Sequence, residues 1–149
     1  MILDLQTKFS AAQAVTASAI STNTLDLRNA ATPTLGDEAL SGRNPWLIIQ
    51  TDVAATAVGA ATVTFTLESD SDSALSTSPT VHYSTAAIGK ATLVIGYTAV
   101  RTQLPSGDYE RWLGVRYTVA TGPLTTGSFT AYLTMDPQRN VIYPVGFTV

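Results

Sequence analysis

Cysteine is absent from all 149 residues, which rules out disulfide stapling and thiol chemistry. Charge is scarce too: Asp, Glu, Lys and Arg make up 13% of the chain, against roughly 25% in ordinary soluble domains. Lysine occurs only as Lys8 and Lys90, and the formal net charge is −3. Phosphate neutralisation needs clustered cations, so this balance argues against a nucleic-acid partner. No window approaches the roughly 18 consecutive apolar residues of a membrane helix, and the opening fifteen residues, with Asp4 and Lys8, lack a signal peptide's apolar centre. The expectation is a soluble, unprocessed chain made in the cytoplasm, with no membrane partner. No stretch keeps a helical apolar repeat for three turns.

What is present is alternation at period two. In Arg111–Asp136, Leu113, Val115, Tyr117 and Val119 oppose Trp112, Arg116 and Thr118, and Phe129, Ala131, Leu133 and Met135 oppose Thr130, Tyr132 and Thr134. Such alternation on β-branched and aromatic residues, bounded by Gly and Pro, predicts half-buried antiparallel strands, and the two runs read as a hairpin with a long connection. Further strands are expected at Trp46–Val53, Thr62–Glu68, Thr80–Thr85 and Thr92–Thr98, with a more loosely extended stretch over Val15–Leu27. The Ser10–Ala14 segment reads as a helical turn, and residues 28–45 as a long surface loop. About eight short strands without a helix predict an all-β fold, a jelly-roll β-sandwich of antiparallel strands, with a closed barrel as second choice. A chain of this size makes one domain, 1–149, that buries roughly 70% of its unfolded surface. Extended arms are expected at about 1–13 and 137–149.

The residues suited to catalysis do not converge. His82 is the only histidine, placed mid-strand on the polar side, and no nucleophile elbow accompanies it. Glu68, Asp70 and Asp72 lack the spacing of a calcium loop and read as a solvated acidic stretch. Asp108 and Glu110 read as a salt-bridged strand start beside Arg111, and Arg101, Arg111 and Arg116 as surface cations paired with them. Trp46, Trp112 and Tyr109 are candidates for a sugar-stacking platform, although aromatics at strand starts more commonly cover a core. The expectation is a protein that is not an enzyme and needs no cofactor or metal. A Thr-rich, charge-poor surface suits contact with other proteins. Both expected arms are apolar, with Ile2, Leu3, Leu5 and Phe9 in one and Val141, Ile142, Tyr143, Val145 and Phe147 in the other. They read as strands for a neighbour, or as edge strands of their own sheets.

Several blocks, in order, carry a resemblance. They are Asp4, Phe9, Ser10, Ala12–Thr16 and Ser21–Leu27, then Ala61–Phe65, Ala91–Val94, Gly96 and Tyr97. Arg111, Leu113, Tyr117–Pro123 and Phe129–Ala131 complete the set. Together they resemble the capsid cement (decoration) proteins of short-tailed bacteriophages, a group typified by a Bordetella phage cement protein. Residues 28–45 match least. The resemblance implies a virion protein on the outer surface of the head. It implies that the protein binds the phage major capsid protein, self-associates as a dimer or trimer at capsid symmetry axes, and ties neighbouring capsomers together. Ile2, Leu3, Leu5, Phe9, Val141, Ile142, Tyr143 and Phe147 are the expected contacts. The alternative is a carbohydrate-binding β-sandwich used in host adsorption.

Overall fold

The computed structural model describes residues 5–27 and 44–137. One turn of 3-10 helix, Leu5–Thr7, leads into β1 (Lys8–Ala14), β2 (Ala19–Ile20) and β3 (Leu25–Asp26). Then follow β4 (Trp46–Thr56), β5 (Thr62–Asp70), β6 (Thr80–Ser84), β7 (Ile88–Gly89), β8 (Thr98–Gln103), β9 (Trp112–Ala120) and β10 (Thr126–Thr134). They form two antiparallel sheets. One has the order β1-β10-β4-β8; the other has the order β2-β9-β5-β6, with β3 also on β9 and β7 also on β5.

If β2 and β3 are taken as one interrupted strand and the short β7 is set aside, eight strands remain. The first pairs with the last, the second with the seventh, the third with the sixth and the fourth with the fifth. That is the double Greek key of a jelly roll. The expected fold class holds, with ten strands where about eight were expected.

The two alternating runs in Arg111–Asp136 do not form a hairpin. β9 lies in the six-stranded sheet and β10 in the four-stranded one, so Thr121–Thr125 arches across the sandwich. Thr121 (φ 62°) and Gly122 (φ 102°) turn the chain out of one layer, and buried Leu124 re-enters the core. β10 is buried on both faces from Gly127 to Leu133, and the arch brings its Phe129 face against the apolar face of β9. Phe65 and Tyr117 from one sheet face Phe129 from the other: Phe65–Phe129 edge-to-face at 5.1 Å, Tyr117–Phe129 stacked at 5.7 Å.

Of the two readings of the arm over 1–13, a strand for a neighbour or an edge strand of its own sheet, the described part takes the second. Lys8–Ala14 is an edge-side strand of the protein's own sheet, paired with β10, because Phe9 is an apolar residue that belongs to the core and is 0% exposed. Ser10–Ala14 is therefore strand, not helical turn. Its register slips twice, with Ala12 at φ 45°, and the Ala12 amide donates to Thr130 Oγ1. In that irregular stretch buried Ser10 accepts from the Ala131 amide, its hydroxyl reaches the Phe129 carbonyl, and it lies 2.6 Å from the Tyr117 hydroxyl. A one-residue slip would turn Phe9 to solvent, so this polar clasp helps to hold the register.

Burial pushes the Tyr117 phenol up to about 12; the Ser10 hydrogen bond works against that shift, and Asp52 adds to it. An unfolded Tyr ionises near pH 10, so the folded state loses stability as pH rises between about 10 and about 12. The loss expected from this group is about 2–3 kcal/mol. Tyr117→Phe flattens that alkaline limb in denaturant titrations at pH 9, 10 and 11 (roughly the window set by the linkage).

Thr92–Thr98 is not the strand its pattern suggested. Two successive turns close there, with the Thr92 amide on the Gly89 carbonyl and the Tyr97 amide on the Val94 carbonyl, and Gly96 sits at φ +79°. Leu93 drops into the core while Ile95 points to solvent, so the apolar alternation was fortuitous. The other predicted strands are found, with Trp46–Val53 running on to Thr56 and Thr62–Glu68 to Asp70. Most of the expected 28–45 loop, and the expected C-terminal arm beyond Pro137, lie outside the described residues.

Candidate contact surface

β6 and β8 each have a strand partner on one side only among the described residues. The chain passes from one to the other through β7 and the turns at 89–97, which puts these two edges on one flank of the sandwich, with β1, β2 and β3 edging the other. Tyr83, Tyr97 and Tyr109 lie half-buried on this flank, packed against the core. The turn segment continues the edge past β8: Thr51 N–H donates to Tyr97 O, Gly96 N–H to Thr51 O and Ala55 N–H to Leu93 O. Val94 and Ile95 are thereby carried alongside the part of β4 that bears exposed Val53. Ile95 is 72% exposed, and Val58 projects fully from the β4–β5 connection. Half-buried Tyr beside exposed aliphatic groups is the composition found at protein contacts.

Of the residues expected from the sequence to make contacts, Leu5 is 75% exposed and available. Phe9 is corrected: a side chain with no exposed area cannot reach a neighbour. Ile2, Leu3, Val141, Ile142, Tyr143 and Phe147 lie outside the described residues. Sequence reasoning missed Val58, Val94 and Ile95. Gly59 after Val58 and Gly96 after Ile95 were the available signals, since Gly marks a turn whose neighbouring apolar residue need not face the core.

Two of the three acids expected to be solvated, Glu68 and Asp70, are not; Asp72 is half-exposed. Glu68 and Asp70 are buried on the outer side of the six-stranded sheet, beneath the 71–79 connection. Glu68 accepts from Arg116 Nε at 2.8 Å and from the Thr66 hydroxyl at 2.6 Å, and Arg116 also donates to the Leu75 carbonyl. For Asp70, burial works to raise the pKa, but donors from Thr77, Asp72, Ser78 and Ser71 outweigh it and hold the carboxyl below its usual value. Leu75 seats over Gly114, where an added Cβ would come within 2.8 Å of Leu75 Cδ1 and 2.9 Å of Thr24 Cγ2. These groups are committed to closing a loop onto a sheet.

The arginines do not converge. Arg111 grips Asp26 through both oxygens, Arg116 takes Glu68, and Arg101 is exposed on β8 of the other sheet. The expected partners Asp108 and Glu110 are thus replaced by acids distant in sequence. Trp46 and Trp112 start strands of different sheets, Arg111 covers the Trp112 ring at 5.3 Å, and Tyr109 stacks on His82 at 4.0 Å. No shared aromatic platform forms from these three. His82 itself is half-buried and bonded to Ser69.

A search of curated proteins found no match. A family model described as Bbp16, the name of a Bordetella phage protein, matches residues 9–133, from within β1 to within β10. That match takes in both sheets and the whole of the open flank, and the chain belongs to the Bbp16 family of phage proteins.

Proposed function

We propose that this protein is a capsid cement protein: a structural, non-enzymatic virion component that binds the outside of a tailed-phage head and bridges neighbouring major capsid proteins. The reading is supported above all by family membership across the whole sandwich. The open flank supplies the means. The outer edges of β6 and β8, unpaired among the described residues, offer backbone hydrogen bonds, while Val53, Val94, Ile95 and the half-buried tyrosines offer apolar area. Buried carboxylates committed to loop closure fit a block selected for rigidity.

A subunit that binds only the assembled shell stabilises that shell by mass action, and repetition by symmetry turns weak contacts into avidity. The protein acts as a homo-oligomer, dimer or trimer, at the symmetry axes, and resides on the virion after synthesis in the host cytoplasm. The test is to add purified protein to heads stripped of it and follow thermal DNA release. Heads carrying the protein hold their DNA to higher temperature; identical release curves would refute the proposal. Ile95→Asp, a surface change expected to alter folding stability by no more than about 0.5 kcal/mol, weakens head binding about tenfold or more in a sedimentation assay.

A further inference from the structure

Beside the open flank lies a small polar cluster that a capsid-binding role does not require. Ser69, on β5, is wholly buried. Its Oγ accepts the Glu110 amide at 3.1 Å and lies 2.7 Å from His82 Nε2 on β6. The Tyr109 ring stacks on the imidazole at 4.0 Å, and Tyr109 O–H donates to the Pro105 carbonyl. The Glu110 carboxylate accepts from the Thr80 hydroxyl at 3.0 Å. The connection between β8 and β9 is therefore tied to the β5–β6 edge through the hydroxyls of Ser69 and Thr80 and the imidazole of His82.

The protonation state follows from the donor count. A serine hydroxyl has one proton, and here its oxygen already receives the Glu110 N–H. With no water access, the hydroxyl proton has His82 Nε2 as its acceptor, which requires a neutral ring protonated on Nδ1. A protonated imidazole would present a second N–H to the same oxygen and leave the buried hydroxyl proton without a partner.

We propose that Ser69, His82 and Glu110 form an acid-opened latch that fastens the 104–111 connection to edge strand β6. Above the titration of His82 the latch is shut. Below it, the imidazolium N–H competes with the Glu110 amide for the Ser69 oxygen, the amide bond fails, and the segment carrying Tyr109 and Glu110 lifts from the open flank while both sheets stay paired. The groups facing the imidazole are consistent with this direction. Burial lowers the His82 pKa and the Glu110 carboxylate opposes it, with the balance below the ordinary value. Tyr109 is uncharged, its own phenol pushed up by burial. Glu68 and Asp70, flanking Ser69 on β5, are engaged by Arg116 and by the 71–78 loop. Since the open form takes up the proton more readily, the opening equilibrium rises by at most about tenfold per pH unit as pH falls from the open form's ordinary imidazole value to the lower closed-form value, and levels off below that.

His82 is the only histidine, so its ring signals in nuclear magnetic resonance are unambiguous. The experiment follows these signals and the Glu110 amide protection, corrected for intrinsic exchange, in the intact protein from pH 7.5 to 4.5 (roughly two units either side of an ordinary His titration). The expected result is an Nδ1–H tautomer at neutral pH, a midpoint below the ordinary imidazole value, and loss of Glu110 protection with the same midpoint. An Nε2–H tautomer, or protection that stays flat through the titration, overturns the latch. Ser69→Ala moves the imidazole midpoint up toward its ordinary value; should that variant not fold, the titration of the unmodified protein decides by itself.

Discussion

Phe65→Ala lowers the unfolding free energy by about 3–5 kcal/mol, the range for truncating a fully buried aromatic. Phe65 sits at the middle of β5, opposite Tyr117 on β9, and is 0% exposed. It meets Tyr117 edge-on at 5.8 Å and Phe129 edge-on at 5.1 Å, so one ring joins a neighbour in its own sheet to the facing layer. Truncation opens a cavity between layers that the paired strands cannot close by sliding. It also removes two edge-to-face contacts of about 0.5–1.5 kcal/mol each. At about 2–4 °C per kcal/mol for a chain of this length, the midpoint of thermal unfolding falls by roughly 6–20 °C. A measured loss below about 1 kcal/mol in denaturant would mean that the two sheets do not share this aromatic centre.

Arg116→Met is the second large effect, at about 3–5 kcal/mol, because it leaves the buried Glu68 carboxylate without its cation. The side chain of Glu68 is only 5% exposed, so little water reaches it once Arg116 is gone. The Leu75 carbonyl loses its Arg116 donor in the same step, which loosens the 71–79 connection over Gly114. Removing both charges, as Glu68→Leu with Arg116→Met, recovers most of the loss, since an apolar pair of similar volume is commonly neutral or better than a buried ion pair. A double-mutant cycle in urea measures this coupling directly; additive effects of the two changes would show that the pair is not coupled as described.

Most strand positions with one buried and one wet face were readable, although β8 (Thr98–Gln103) was missed. Val63, Phe65 and Leu67 alternate with threonines, and all three are core residues. The reading failed at Leu93–Tyr97 because chance spacing of apolar residues mimics a strand, while Gly96 and two turn hydrogen bonds decide otherwise. It failed at Phe9 for a different reason. An apolar segment near the start looks the same whether it seeks a neighbour or its own sheet, and only β10, more than a hundred residues later, supplies the partner. The contact surface was the least legible part. Ile95 and Val58 are ordinary apolar letters until the fold leaves them outside.

Sequence alone settled the all-β class, the absence of thiol chemistry and the alternating faces of the long strands, because those depend on composition and on spacing along the chain. Tertiary structure alone decided that β9 and β10 arch between layers, that Arg111 and Arg116 find Asp26 and Glu68, and that Ser69 meets His82 and Glu110. In a jelly roll the first strand pairs with the last and the second with the seventh, so nearly every partner is remote in sequence. Local pattern says which face of a strand is apolar; it carries no term for which distant face will cover it.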